Sequence, residues 1–200
     1  MFVSNDTESR RMFKSDFLEA FSKVHFSIPI LIYVPVISYF IWKSLAITQV
    51  SPTGFFISFG SGLVCWTLTE YLLHRFIFHF VPKSKWGQRI HFIFHGVHHD
   101  FPNDAKRLVL PPAVSIPLAT GFYFLFSIIL PPQYLYPFFA AFISGYLFYD
   151  ITHYALHHAT FKSGLWKKLK HHHMLHHYTD PTKGYGVSSS WWDKIFRSDF

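Results

Sequence analysis

A single cysteine, Cys65, stands in 200 residues. It leaves no intramolecular disulfide and excludes a cysteine-based metal site. Lying in an apolar run, Cys65 is expected to be a small buried side chain. Charge is scarce as well: 14% of residues are Asp, Glu, Lys or Arg, against roughly 25% in soluble domains. No phosphate loop and no Ser/His/Asp nucleophilic arrangement is visible. No nucleic-acid module is visible either, so the net charge of +7 does not argue for a nucleic-acid partner. A cleavable leader is not expected, because the first apolar run begins only after about 25 polar and charged residues and no small-x-small site follows.

What the chain has in quantity is apolar surface: 50% hydrophobic and 21% aromatic residues. The length suits one domain. An N-terminal segment, 1–25, is polar with scattered aromatics, and Ser15 to Phe21 has the helical spacing of an interfacial segment. The rest, 26–200, holds four apolar stretches at about 26–47, 54–79, 108–130 and 134–158. Each approaches the ~20 residues that a membrane-spanning helix needs. Pro29, Pro35, Pro111, Pro112, Pro117 and Pro137 lie in or at the ends of these runs, where membrane helices tolerate them. The fold class expected is all-α integral membrane, four transmembrane helices with a cytoplasmic, histidine-rich helical cap that holds a di-metal centre. Lys and Arg crowd three regions: before the first span, between the second and third (Lys83, Lys85, Arg89, Lys106, Arg107), and after the fourth. The first connection holds only Lys43. Both termini and the central loop are therefore expected in the cytoplasm.

The second abundance is histidine, with 15 residues, all but His25 between His74 and His177. Four groups form: His74 and His79 as H-x4-H, His95, His98 and His99 as H-x2-H-H, His153 and His157 as H-x3-H, and His173, His176 and His177 as a second H-x2-H-H. Residues three or four apart share a helix face. The last two histidines of an H-x2-H-H box can point to different ions. On an α-helix His74 and His79 would lie about 140° apart and need not serve one ion. These ten imidazoles are too many for one ion and suit two. Imidazole accepts iron, zinc, copper or nickel. The topology places all four groups on the cytoplasmic side. His91, His158, His171 and His172 are surplus and are expected to be exposed or peripheral.

Tyr146, Tyr149, Asp150, His153 and His157 recur along one face of the fourth span. Asp150, one turn before His153, is placed to accept its other ring N–H and fix the tautomer. Glu70 stands in the same relation to His74. Arg75, Lys85, Arg89 and Arg107 are candidates to hold a carboxylate or headgroup. Ligands sit at span ends rather than mid-span, which argues against a transporter.

Several strings are more specific than the spacing. They are Glu70-Tyr71-Leu72-Leu73-His74-Arg75-Phe76-Ile77-Phe78-His79, His91-Phe92-Ile93-Phe94-His95-Gly96-Val97-His98-His99, Arg107-Leu108-Val109-Leu110-Pro111-Pro112, Gly145-Tyr146-Leu147-Phe148-Tyr149-Asp150-Ile151-Thr152-His153-Tyr154, and Lys183-Gly184-Tyr185-Gly186-Val187 with Trp191-Trp192-Asp193 beyond. With these the chain, over roughly residues 10 to 197, resembles the fatty acid hydroxylase superfamily, and within it the fatty acid 2-hydroxylase group. Sterol oxidases, carotenoid hydroxylases and desaturases share the histidine boxes; the Arg-Leu-Val-x-Pro-Pro and Lys-Gly-Tyr-Gly-Val strings narrow the resemblance.

The resemblance implies that the ten histidines are ligands of two iron ions, with zinc able to occupy them in the isolated protein. It implies that O2 is the co-substrate. Tyr149 and Asp150 would lie beside the metals as catalytic residues, and with Tyr146 they would contact the substrate. The implied substrate is a long acyl chain, free or in a sphingolipid, hydroxylated next to its carboxyl or amide group. Many eukaryotic relatives carry a cytochrome b5 domain with a His-Pro-Gly-Gly motif. That motif is absent from this sequence, so electrons are expected from a separate cytochrome b5- or ferredoxin-like protein. The implied site of action is an endoplasmic reticulum or bacterial inner membrane.

Overall fold

The computed structural model describes residues 3–4 and 6–200. No strand occurs among them. The helices are α1 (Asp16–Phe21), α2 (Ser27–Trp42), α3 (Pro52–Leu72), α4 (Lys85–His91), α5 (Val97–Asp100), α6 (Pro112–Ile129), α7 (Pro132–His158), α8 (Gly164–Tyr178) and α9 (Trp191–Ile195). Three π-helical turns extend or join them: Lys43–Ile47 after α2, Leu73–Phe78 after α3, and Phe92–Gly96 between α4 and α5.

The chain divides into two compact units. One comprises Ser27–Thr67 and Leu110–Phe148. It holds α2, most of α3, α6 and the first part of α7. Among the described residues three helices are long and apolar enough to cross a membrane: Ser27–Ile47, Pro52–Phe78 and Pro112–Ile129. Their outward side chains, such as Leu31, Phe56, Ile128 and Ile129, are exposed, as expected of helices that are apolar all round and meet hydrocarbon. Cys65 is half-buried rather than fully enclosed, because it sits on the flank of such a helix. Inside the unit, aromatic rings interlock. Phe142 packs against Trp66, Phe122 and Phe126 at centroid distances of 5.0–5.2 Å. The Tyr33 hydroxyl hydrogen-bonds with Ser115 Oγ at 2.8 Å.

Close helix approach here depends on missing side chains. A Cβ on Gly62 of α3 would fall 2.2 Å from the Phe138 carbonyl oxygen of α7. That neighbour is backbone and cannot swing aside. Small residues allow this kind of contact in membrane bundles. Gly62→Leu is therefore expected to cost about 3 kcal/mol or more, the upper end of overpacking penalties. The measurement is the fraction of protein extracted as a monodisperse species; wild-type recovery would contradict the packing account.

The other unit comprises Met1–Phe26, Leu68–Val109 and Tyr149–Phe200. It collects the end of α3, both central short helices, the end of α7, α8 and α9. The third apolar run was expected from Leu108 but its helix begins at Pro112. Proline suits the first helical turn, where its missing N–H costs nothing. Leu108 and Val109 instead form a buried loop in this second unit. Asp16–Phe21, within the segment expected to be interfacial, forms α1, capped by the Ser15 side chain, which accepts from Leu18 N. Phe17, Leu18 and Phe21 are exposed on it.

Candidate metal centre

Four segments of the second unit bring the ten histidines together. His74 comes from the π turn after α3 and His79 from the position just beyond it, His95 from the π turn before α5, and His98 and His99 from α5. His153 and His157 come from α7, and His173, His176 and His177 from α8. They sort into two groups of five, each with its donor nitrogens within 4.8 Å of one another: His74, His79, His95, His99 and His176, and His98, His153, His157, His173 and His177.

The sorting is reciprocal. Each H-x2-H-H box gives its first and last histidine to one group and its middle histidine to the other. His95 and His99 lie in the first group and His98 in the second; His173 and His177 lie in the second and His176 in the first. The two groups are neighbours, since the His99 and His177 rings stack at 4.3 Å.

His74 and His79 belong to the same group, with Nε2 atoms 3.3 Å apart. The α-helical estimate of their separation fails because this turn is not α-helical. The backbone N–H of His79 donates to His74 O at 3.1 Å, an i→i+5 bond that widens the turn and stacks residue i+5 over residue i. Single π turns of this kind favour functional sites.

The contacts within each group decide what the groups are for. His95 Nε2 lies 3.2, 3.1 and 3.0 Å from the Nε2 atoms of His74, His79 and His99. In the second group His153–His98, His157–His173 and His177–His173 are 2.8, 2.9 and 3.2 Å apart. One imidazole nitrogen carries a single proton or a single lone pair, so three such contacts at one atom cannot all be hydrogen bonds. A central cation resolves them. With bonds of about 2.0–2.1 Å, neighbouring ligands at right angles lie about 2.9 Å apart. The donor set fits one metal ion per group.

The rings are also prepared to bind a cation. Burial, then repulsion among the imidazoles, holds His95, His98, His99, His173 and His177 well below the ordinary histidine range. Burial brings His176 down to about 4 against the opposing hydrogen bond to Lys183. All are neutral at pH 7, the form that metals require.

Main-chain carbonyls fix the tautomers. His74 Nδ1 donates to Tyr185 O at 2.5 Å, His176 Nδ1 to Lys183 O at 2.6 Å, and His153 Nδ1 to Leu108 O at 3.2 Å. A carbonyl only accepts, so each Nδ1 carries the proton and each Nε2 lone pair faces its group.

This corrects two expectations. Asp150 is buried, but the carbonyl at His153 Nδ1 is that of Leu108. At His74 Nδ1 the partner is the Tyr185 carbonyl. Glu70 Oε1 accepts from Val187 N and Ser188 N at 2.9 and 2.8 Å, and its Oε2 from Ser188 Oγ at 2.6 Å, so it fixes the loop that carries this carbonyl. The Lys-Gly-Tyr-Gly-Val string is thus a carbonyl-bearing loop. Gly184 sits at φ +70°, a left-handed conformation that favours glycine. A Cβ on Gly186 would meet Ser189 O at 2.0 Å.

Other candidates fall elsewhere. Tyr149 stacks beside His153 at 5.9 Å and packs against the buried cluster of Leu156, Leu169 and Val187. Tyr146 belongs to the membrane unit, edge-on to Tyr33 at 5.0 Å and Trp66 at 5.5 Å. Arg107 is no substrate anchor: its side chain is buried and ion-paired with Glu19 at 2.7 Å and Asp104 at 3.2 Å. Arg89 donates to Met12 O, and the Arg75 guanidinium to Tyr71 Oη at 2.5 Å. Lys85 is exposed. Of the surplus histidines His158 and His171 are exposed, and His91 and His172 half-buried.

Comparison with known proteins agrees with the geometry. The family model described as fatty acid hydroxylase matches residues 59–198. A dihydroceramide fatty acyl 2-hydroxylase of Arabidopsis thaliana is 40% identical over 94% of this chain and 79% of its own length. A ceramide very long chain fatty acid hydroxylase of Schizosaccharomyces pombe is 39% identical over 92% of this chain. Fatty acid 2-hydroxylase of Rattus norvegicus is 39% identical over 94%. The chain spans about half the length of these last two, 53% and 56%. A solved structure of full-length scs7p, with only its hydroxylase domain visible, superposes with a TM-score of 0.87 at 36% identity, covering 92% of this chain and 70% of that one.

Proposed function

The chain belongs to the fatty acid hydroxylase family, and on that premise we propose that it is a membrane monooxygenase hydroxylating the 2-position of a long fatty acyl chain, free or within a sphingolipid. The observation that carries the proposal is the pair of adjacent five-imidazole groups. Two iron ions are the proposed occupants, with O2 as co-substrate; zinc would fit the same imidazoles in isolated protein. Bound iron would supply the activation of O2 that replacing a C–H hydrogen by hydroxyl requires.

The chain's own residues do the rest. The ten histidines would hold the ions through Nε2, and the loops that carry Leu108, Lys183 and Tyr185 keep the rings of His153, His176 and His74 oriented. Tyr149 and Asp150 are proposed as catalytic residues near the substrate carboxyl end, and Tyr146 as part of the acyl-binding surface. The proposed domain runs over 26–200 behind an interfacial segment, 1–25. We assign α7 as a fourth span: its 27 residues extend about 40 Å, longer than a ~30 Å hydrocarbon core. Both termini and the histidines are assigned to the cytoplasmic side by the basic residues, in the endoplasmic reticulum of a eukaryote or the inner membrane of a bacterium. Electrons come from a separate carrier protein. The exposed Lys167 and Lys168 on α8, the helix that also carries His173, suit an acidic one.

The test is lipid mass spectrometry of cells with and without the expressed protein. New 2-hydroxy acyl lipids are expected. Hydroxylation confined to sterols or carotenoids would move the substrate assignment elsewhere in the superfamily, and no new product would overturn the enzyme assignment.

A further inference from the structure

Ligating histidines ordinarily donate their second N–H to a carboxylate or carbonyl that orients the ring and raises its basicity. His74 uses the Tyr185 carbonyl. That carbonyl shares one planar peptide unit with the N–H of Gly186. The Gly186 N–H donates to Asp193 Oδ2 at 2.8 Å, and the neighbouring Tyr185 N–H to Asp193 Oδ1 at 2.9 Å. A fully buried carboxylate is therefore joined to His74 through a single peptide group. The order is carboxylate, N–H, C=O, ring N–H.

We infer that Asp193 is a positioning residue for the first metal group, acting on His74 through the Tyr185–Gly186 peptide. The inference rests on the two-ion reading above. A peptide whose N–H is bound to an anion is polarised, and its carbonyl becomes a stronger acceptor. Asp193 thus does through a peptide what a carboxylate does directly in other metal sites.

The surroundings fit this role. Asp193 is held by Ser198 Oγ at 2.8 Å and faces His172 Nε2 at 3.3 Å. The absence of a Cβ on Gly186 admits the carboxylate, since an added Cβ would lie 2.8 Å from Asp193 Oδ2. The second carbonyl of the loop is tied down in the same region. Lys183 O accepts from His176, and the N–H of the same peptide, at Gly184, donates to Ser198 O at 2.7 Å. Glu70 binds the next two N–H groups, of Val187 and Ser188, and these peptides carry no histidine contact. Glu70 therefore provides an internal comparison: it fixes the same loop without reaching His74 through a shared peptide.

The experiment uses the full-length chain in detergent, loaded with Zn2+ and titrated with a chelator, with metal per chain as the readout. Wild type is expected to hold two equivalents. Asp193→Asn keeps the shape but turns an amide donor towards an N–H donor. It should weaken one equivalent about 10–100-fold, the usual effect of losing an outer-shell partner, and leave the other unchanged. Glu70→Gln should weaken the same equivalent clearly less.

Unchanged affinity at both sites in Asp193→Asn, or equal weakening of both, would overturn the inference. So would equal loss in Glu70→Gln, which would reduce Asp193 to a loop tether. If Asp193→Asn is not recovered folded, Ser198→Ala decides, with a few-fold loss at one equivalent expected and wild-type affinity at both overturning the inference. Wild-type protein holding fewer than two equivalents would instead sink the two-ion reading itself, and the inference with it.

Discussion

His98→Ala is expected to reduce 2-hydroxy acyl product to background while the protein still inserts in the membrane. His98 is buried in the second group, with Nε2 2.8 Å from that of His153. Alanine removes one of five donors and leaves the remaining four around a void. Losing a partner one shell further out already costs roughly 10–100-fold, so losing a ligand should exceed that range. Bound metal should fall by one equivalent. The neighbouring substitution sharpens the test. His99 belongs to the other group, so His99→Ala should abolish activity equally while emptying the other site. His171→Ala, on an exposed side chain, should stay within about twofold, the ordinary range for surface changes. Lipid mass spectrometry and metal content of the same preparations read all three. Activity in His98→Ala, or loss in His171→Ala, would mean that the histidines have been divided wrongly between ligands and bystanders.

That each H-x2-H-H box splits between two groups was legible in the sequence because it depends on spacing. An H-x2-H-H box on a helix presents its first and last imidazoles on one side and its middle one on another, whatever surrounds it. Apolar runs announce helices with the same directness, so α2, α3, α6 and α7 fall within a few residues of expectation. What stayed hidden depended on backbone. The π turn at Leu73–Phe78 changes the angle between His74 and His79, and no side-chain pattern marks it. The tautomer-fixing partners are the carbonyls of Leu108, Lys183 and Tyr185, and every residue has a carbonyl. The nearby carboxylates of Asp150 and Glu70 were the visible candidates and therefore drew the expectation. The glycines of Lys-Gly-Tyr-Gly-Val were the available signal: one tolerates a left-handed φ and the other admits a carboxylate. Arg107 misled for the opposite reason. An Arg next to an aliphatic loop looks like a headgroup anchor, and of its two carboxylate partners, Asp104 and Glu19, the second is 88 residues away.

Arg107→Met is expected to destabilise the histidine unit by about 3 kcal/mol, at the lower end of the ~3–5 kcal/mol for breaking a buried ion pair. Arg107 donates to Glu19 Oε1 at 2.7 Å, to Ser22 Oγ at 2.8 Å and to the Arg10 carbonyl at 2.6 Å. Methionine replaces the stem but strands the carboxylate. The lower figure applies because Glu19 keeps Lys23 at 3.0 Å and the N–H groups of Met12 and Phe13. Adding Glu19→Gln should recover part of the loss, since the uncompensated charge goes, and the double-mutant cycle isolates the pair. The pH dependence gives a second readout. Burial opposes the charge on Glu19, yet Phe13, Lys23, Met12 and Arg107 together pull its carboxyl from 4.5 to about 2. A depressed carboxyl contributes fully above the unfolded value and loses its contribution as pH falls through the folded one. In wild type that window runs from about 4.5 down to about 2. Without Arg107 the folded value moves back up towards 4.5, so the window narrows from its lower end and the variant has less Glu19 stability to lose across it. Melting temperatures across pH 3–7 measure this, and parallel curves for the two proteins would contradict it. The effect should also reach the metals. Arg107 immediately precedes Leu108, whose carbonyl holds His153, so the variant should release the second-group ion first. The N-terminal segment, through Glu19, would thereby support a candidate metal group whose first histidine, His98, stands far along the chain.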